Sequence, residues 1–593
     1  MNSILGVQVA ITSGCALYYD GKIVFAVSEE RFTKTKNETN YPHKSIEACL
    51  EFCAKSNIPL PSLAVIPSIN MDFEHFLLRR ECTYSVQDYI QENYDYWYKK
   101  LYQEEKVQLR DVFQDRIEES LVLSKEIKER LYSSNNPKEE FQKVRAEELN
   151  KYECIKKVEF VNHEYSHAAY ALYASPLEKG DTFVVTIDGF GDEANASIWT
   201  HNGEKMVCHK KYTNFNIGRI YKYITLLLGM KPNEHEYKVM GLAPNADEEF
   251  IKEPLSVFEN TWYFDKSDGE IKCHDLPKDS YFYYKERLEG VRFDNIAGAL
   301  QKYTENMIIS LVDYWAKKLD KNQVVLSGGV SLNIKANMCV GELNSIRNIF
   351  VPASGGDESL CIAAIYAYLD NELKCNEIQP LQTMYLGTSH EVETIMPQVE
   401  EFVQNKEYKV SYNATNVEVA RLLADGKVVG RFSGRMEFGA RSLGNRAILA
   451  NPKWPNIVRT INKKIKKRDF WMPFTPSILD FKKNEYLVNP KGFDFPFMTV
   501  ACRTTEKAQD DIVGSLHPAD FTSRPQIVTK EQNPEYWSLI DEFYGLTGVG
   551  ALLNTSLNLS GLPICESIQD VFYVFDNSDI DAIYINNILI ERS

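Results

Sequence analysis

Two stretches of this chain repeat one plan, and no other feature restricts its fold as much: ILGVQVAITSGCALYYDGKIVFAVSEE from Ile4, and TFVVTIDGFGDEANASIWTHNGEKMVCHKKY from Thr182. In each, β-branched and aromatic residues cluster into strands. A two-residue turn signal, Asp20-Gly21 in the first and Asn202-Gly203 in the second, closes a hairpin. The first reads as strand, loop, strand, turn, strand. The second reads as a strand ending at Asp188, a Gly-rich turn and a further hairpin. Helical sequence follows each, so the repeat predicts a duplicated α/β domain; two unrelated hairpins are the plainer alternative.

Such a duplication is the plan of the actin, sugar-kinase and Hsp70 ATPase fold, whose two halves close over a nucleotide. With 593 residues the chain exceeds what one core serves, and at least two domains are expected. Residues 72–157 are charged, rich in Tyr and Glu/Lys pairs and nearly free of glycine, which reads as a helical insertion between the β-modules. Asn136-Pro137 reads as a helix start within it. Its tyrosines either line an acceptor pocket or form the buried side of a solvated helical face. After SLCIAAIYAYLDNEL the sequence changes character near Gln379, dividing the chain into residues 1–378 and an α/β domain over 379–593 with strands in VVGRFS and VGALLNTSLNL.

The formal charge of -16 and pI near 5.3 argue against a phosphate-backbone partner, so no nucleic acid is expected. Twelve cysteines lack paired CxxC spacing, and Cys49 and Cys53 sit on a helical pattern, which predicts buried reduced thiols. MNSILGVQVA has no basic region ahead of a long apolar stretch, and no later segment reaches membrane-spanning length. A cytoplasmic protein without a membrane partner is expected.

Within this acidic chain, RFSGRMEFGARSLGNRAIL gathers Arg431, Arg435, Arg441 and Arg446 among small residues and glycines. Clustered guanidinium groups on such a loop suit phosphate oxygens. INKKIKKRDFWMPF adds a second positive segment, and HPADFTSRPQIV and LLNTSLNLSG supply Thr522, Arg524, Asn554 and Ser556 as polar donors. His163 and His167 stand four residues apart in helix-forming sequence, on one face, and with Asp188 and Asp357 would make a two-His, two-Asp site for a divalent ion such as iron, manganese or magnesium. In VVLSGGVSLNIKANM a strand runs through Gly328-Gly329 into a helix, either a setting for a nucleotide or a plain tight turn.

The strings EERFTKTK, NHEYSHAAYALYASP, TIDGFGD, KVMGLAP, LSGGVSLNIKAN, GRMEFGARSLGNRAILANP, INKKIK and LLNTSLN, in this order, resemble the O-carbamoyltransferase family of nodulation protein U and the cephalosporin and aminoglycoside carbamoyltransferases. The resemblance implies a Kae1-like N-terminal domain of the actin/Hsp70 superfamily with a helical insertion, followed by a YrdC-like α/β C-terminal domain. It implies ATP and carbamoyl phosphate as co-substrates, a carbamoyl adenylate formed in the second domain, and transfer to a hydroxyl of a small molecule or sugar in the first. It also implies a divalent metal, iron, with magnesium accompanying ATP. A homodimer is left open.

Carried over by motif, His163, His167, Asp188 and Asp357 match the metal ligands, with His163, Asp188 and Arg446 as catalytic residues. Lys238, Gly328, Gly329, Asn333, Arg435, Arg441, Arg446, Lys464, Thr522, Arg524, Asn554 and Ser556 match the nucleotide and carbamoyl phosphate region. Three strings depart from the family pattern: Ile11-Thr12-Ser13-Gly14 where a His-Asp pair is usual, SGGDES around Asp357, and Asp520-Phe521-Thr522-Ser523-Arg524 with Phe521 replacing a glycine. A tRNA threonylcarbamoyl-type enzyme and a nucleotide-binding homologue without turnover are the competing readings.

Overall fold

In a computed structural model of the chain, which describes residues 3–80, 82–120, 122–372, 378–404 and 406–592, the two β-modules become two five-stranded sheets with the same strand order. The first contains β1 (Ile4–Gln8), β2 (Gly14–Tyr19), β3 (Lys22–Ser28), β4 (Leu63–Pro67) and β5 (Lys157–Val161), ordered β3-β2-β1-β4-β5. The second contains β6 (Thr182–Ile187), β7 (Ala196–His201) and β8 (Met206–Tyr212). After a separate two-stranded hairpin of β9 (Trp262–Asp265) and β10 (Glu270–Cys273), it continues with β11 (Gln323–Ser327) and β12 (Asn348–Phe350), giving β8-β7-β6-β11-β12. In each, three antiparallel strands are extended by two parallel ones. The mixed α/β duplication is therefore in the hydrogen bonding itself.

Asp20-Gly21 and Asn202-Gly203 both lie in turns between paired strands. Two alanine-rich helices then cross over. His163–Ala174 follows the first sheet but packs on β6 and β11 of the second, whereas Leu360–Glu372 follows the second sheet and packs on β1, β2 and β4 of the first. The two helices also pack on each other, and most residues of both are buried. At the closest approach, a Cβ on Gly6 of β1 would lie 1.9 Å from the carbonyl oxygen of Cys361. This exchange brings the start of each helix to the same place.

The described residues between 72 and 156 carry a run of helices, among them Phe73–Leu78, Val86–Gln91, the π-helical Glu92–Tyr98, and Pro137–Leu149, which starts at the Asn136 cap with Pro137 in its first turn, and residue 157 opens β5. Phe73, Phe76, Tyr84, Tyr89 and Phe141 join the apolar cluster that contains Leu5, Leu17 and Phe25 of the first sheet. Tyr94, Tyr98 and Tyr102 remain exposed. Cys15, Cys49, Cys53 and Cys361 are buried free thiols.

The chain divides into two compact units, Met1–Thr33 with Asn37–Leu381 and Lys34–Lys36 with Gln382–Ser593. The second unit is built on one mixed sheet of eight strands: β13 (Tyr408–Tyr412), β14 (Val429–Phe432), β15 (Arg446–Ala450), β16 (Thr475–Leu479), β17 (Gln526–Val528), β18 (Ala551–Ser556), β19 (Ala582–Ile585) and β20 (Ile588–Arg592), ordered β13-β20-β19-β14-β15-β18-β16-β17. Its core joins Phe432, Ile448 and Leu553 from the sheet to Ile461, Val571 and Phe575 from helices. Among the described residues no helix is long and apolar enough to cross a membrane.

Candidate functional site

In the first unit four side chains converge. His163 and His167 lie one turn apart on the helix His163–Ala174, whose start is fixed by Asn162, its side chain accepting from Tyr165 N at 3.0 Å. Asp188 stands directly beyond β6, and Asp357 opens the turn before Leu360–Glu372. One ligand atom from each of the four lies within 4.8 Å of the others. His163 Nε2 is 3.1 Å from Asp188 Oδ2 and 3.8 Å from Asp357 Oδ1; His167 Nε2 is 3.2 and 3.4 Å from the same atoms.

Glycine makes the approach feasible. Gly328 turns away from β11 at φ 90°, donates its N–H to Gly355 O at 2.8 Å, and lies where a Cβ would be 2.3 Å from Ile187 O. A Cβ on Gly329 would stand 3.0 Å from Asp188 Oδ1. The Gly-Gly loop thus packs against Asp188. Asn333 caps the following helix through Ala336 N and exchanges amide hydrogen bonds with Gln301. Lys238 lies on the helix Glu236–Leu242.

Burial disfavours an imidazolium at His163, yet the Asp188 hydrogen bond and the charge of Asp357 outweigh it and push the pKa up to about 10. His167 shifts upward against burial for the same reason, through hydrogen bonds to both carboxylates. Asp188 is held well below the usual carboxylate range, because bonds from both imidazoles overcome its own burial. Two carboxylates facing two imidazole nitrogens also favour a divalent cation, which would take the place of the protons. His167 Nε2 is buried 3.2 and 3.4 Å from the oxygens of Asp188 and Asp357, and two imidazole nitrogens with two carboxylate oxygens form a donor set that suits iron or manganese. These residues fit such an ion.

In the second unit the arginine-rich segment folds around one carboxylate. Glu437 Oε1 accepts from Ser442 Oγ at 3.1 Å, Leu443 N at 2.7 Å and Arg446 N at 3.2 Å. Arg446, fully buried at the start of β15, donates from Nη1 to the carbonyls of Ser433, Gly434 and Asn445 and lies 3.8 Å from the centre of the Phe432 ring. Burial pushes its pKa down to about 10. Arg431 Nη1 donates to Gly444 O and Asn445 Oδ1, both at 2.8 Å. Asn554, on β18, donates to Ser442 O, Ser477 Oγ and Gln526 Oε1. Five buried atoms here have no hydrogen-bond partner among the described residues: Arg446 Nε and Nη2, Arg431 Nε, Glu437 Oε2 and Asn554 Oδ1. Native interiors rarely leave such groups unmet, and a mixed set of donors and acceptors matches a small ligand carrying both.

Arg435 donates to Leu386 O and Gly387 O, and burial lowers its pKa. Arg441 is half-buried within the loop. Thr522 donates to Asp520 Oδ1, and Arg524 follows on the same loop into β17. Lys464 is placed differently from its motif neighbours: its side chain is 57% exposed and pairs with Asp579 at 3.5 Å. The buried lysine is Lys466, whose Nζ donates to the carbonyl and side-chain oxygens of both Ser556 and Asn558. Sequence reasoning named Lys466 within the second positive segment but carried only Lys464 into the site, and it did not single out Glu437. The signal for Lys466 is the apolar pair Ile461 and Ile465, which turns this side of the segment inward.

Residues 3–366, which hold the two-His, two-Asp cluster, match the family model described as Carbamoyltransferase N-terminus, and residues 420–592, which hold the arginine segment, match Carbamoyltransferase C-terminus. An uncharacterized protein of Synechocystis sp. is 29% identical over 644 aligned positions, covering 100% of this chain and 97% of its own length. Nodulation protein NolNO of Sinorhizobium fredii is 26% identical, with 97% of this chain and 78% of that protein covered. The 3'-hydroxymethylcephem-O-carbamoyltransferase of Amycolatopsis lactamdurans is 23% identical, covering 74% of this chain and 82% of that enzyme. With both halves of the family pattern present around the two residue clusters, the chain belongs to the carbamoyltransferase family and is a transferase enzyme.

Proposed function

We propose that this transferase is an ATP-dependent O-carbamoyltransferase that works through carbamoyl adenylate. The second unit, in this reading YrdC-like, makes the adenylate from carbamoyl phosphate and ATP. Balance requires one water: carbamoyl phosphate yields carbamate and phosphate, and a carbamate oxygen then attacks the α-phosphorus of ATP, releasing pyrophosphate. The observation that carries the reading is the set of five unmet buried atoms around Glu437. Arginine N–H groups suit the carbamoyl and phosphate oxygens, while Asn554 Oδ1 and Glu437 Oε2 suit the carbamoyl NH2.

The first unit, in this reading Kae1-like, transfers the group to a hydroxyl of a small molecule or sugar, with AMP leaving. A divalent ion, iron in this reading, would be held by His163, His167, Asp188 and Asp357 and would supply Lewis-acid stabilisation of developing negative charge. Asp188 and Asp357 orient the two imidazoles and keep the pocket negative. The Amycolatopsis relative, named for a hydroxymethyl acceptor, supports a hydroxyl as the attacking group. The acidic balance supports an enzyme without a nucleic-acid partner.

Incubating the chain with carbamoyl phosphate and ATP should release pyrophosphate. Cell extract treated with the same mixture should yield a product heavier by one carbamoyl group. Absence of ATP-dependent pyrophosphate release would overturn the reading.

A further inference from the structure

Asp192 lies outside the metal cluster, yet its carboxylate is fully used. Oδ1 accepts from Ser68 Oγ and Asn70 N, both at 2.8 Å, and Oδ2 accepts from Ile69 N at 2.9 Å and His163 N at 2.8 Å. The last donor is the first amide of the helix that carries His163 and His167, so the carboxylate also faces that helix's positive end. One side chain therefore fixes both the backbone of a metal-ligand residue and the loop 68–70.

That loop is itself held from the insertion. Ser68 sits at φ 81°, a left-handed conformation that non-glycine residues adopt only when their surroundings enforce it. Its N–H donates to Val161 O at 2.8 Å, its hydroxyl to Asp192, and its carbonyl accepts from Arg145 Nη1 at 2.9 Å. Arg145 Nη2 reaches Ile69 O at 3.3 Å. Arg145 comes from the helix Pro137–Leu149, has no exposed surface, and packs 5.4 and 5.0 Å from the Phe141 and Phe160 rings. A guanidinium buried this completely to grip two backbone carbonyls fixes the loop far more rigidly than a surface contact would.

We propose that Asp192 is a positioning residue for the metal centre, and that the relay from Arg145 through loop 68–70 to Asp192 makes the helical insertion part of what sets His163. The inference rests on the two-His, two-Asp cluster being a metal site. Asp192→Asn keeps the size of the side chain but turns an NH2 group toward backbone donors. Arg145→Met keeps the stem and removes both N–H contacts.

The test uses the full-length chain and Mn2+ as the probe, with the dissociation constant, the melting temperature and hydrogen exchange at the first turn of His163–Ala174 measured together. Asp192→Asn should weaken Mn2+ binding roughly 10- to 100-fold, the range seen when an outer-shell partner of a metal ligand is removed. It should also speed exchange at the His163 amide without metal. Arg145→Met should shift both readouts in the same direction, and the double variant should be less than additive, as members of one network are. Wild-type Mn2+ affinity and exchange in Asp192→Asn, with or without a lower melting temperature, overturn the proposal. Should that variant fail to fold, wild-type values in Arg145→Met overturn it equally. A His163→Ala/His167→Ala variant separates the premises. If it alone loses Mn2+, the metal site stands and the positioning role falls; if it binds Mn2+ like wild type, the metal reading falls and takes this inference with it.

Discussion

A buried ammonium is tolerated only where its N–H groups find acceptors, and Lys466 finds four oxygens on Ser556 and Asn558, none of them a carboxylate. Burial, and then the nearby Arg468 guanidinium, push its pKa well below the ordinary lysine range. An anionic phosphate beside it would favour the charged form, a role that Lys464, paired on the surface with Asp579, would not share. Lys466→Met should therefore lower pyrophosphate release by about 100-fold, the order expected for removing one well-placed electrostatic donor. Lys464→Ala should change it by less than about 2-fold, since exposed pairs contribute little. Equal effects of the two variants would sink the distinction. Residue type and local spacing were enough to set His163 and His167 on one helix face, because a period of four is a property of the helix alone. They were not enough to choose among Lys463, Lys464, Lys466 and Lys467, because burial depends on how residues 456–466 pack against the sheet core.

At the scale of elements, the two sheets were legible because Asp-Gly and Asn-Gly turns and β-branched runs are local signals. The exchange of helices between them was not, since nothing in HEYSHAAYALYA or LCIAAIYAYLDNE says which sheet each will cover. Their alanines do show that both are buried and closely approached. That exchange delivers Asp357 to the histidines, so a residue far from the cluster should control it. Gly6 is such a residue: a Cβ there would meet Cys361 O at 1.9 Å, its carbonyl carbon at 2.9 Å and Ile365 Cγ1 at 2.9 Å. Backbone cannot swing aside as a side-chain tip can. Gly6→Ala should cost about 3 kcal/mol, the upper end for overpacking, and should shift the helix Leu360–Glu372. Urea unfolding should show a lower midpoint, and the Mn2+ dissociation constant should rise because Asp357 moves with the helix. An unchanged midpoint would mean that β1 and this helix are not packed as described.

On the scale of the whole chain, each unit carries its own cluster: two histidines and two aspartates in the first, and arginines, Glu437 and Asn554 in the second. The sequence placed these residue types in separate halves. It left open which polar atoms each cluster would satisfy internally, because Glu437 and the carbonyls of Ser433, Gly434 and Asn445 absorb part of the arginine bonding only after the loop folds. On the proposed function, separate clusters imply separable half-reactions. His163→Ala should leave pyrophosphate release within about 2-fold of wild type, since His163 belongs to the first unit, and should lower acceptor carbamoylation by at least about 100-fold, as loss of a metal-site group does. Metal content should follow transfer and not activation. Wild-type protein should hold close to one divalent ion per chain, and the double His163/His167 substitution should hold almost none, because two carboxylate oxygens alone leave too few contacts. If the double variant keeps its ion and its full transfer rate, the four residues are an internal ion-pair network of the fold, and transfer takes place elsewhere on the chain.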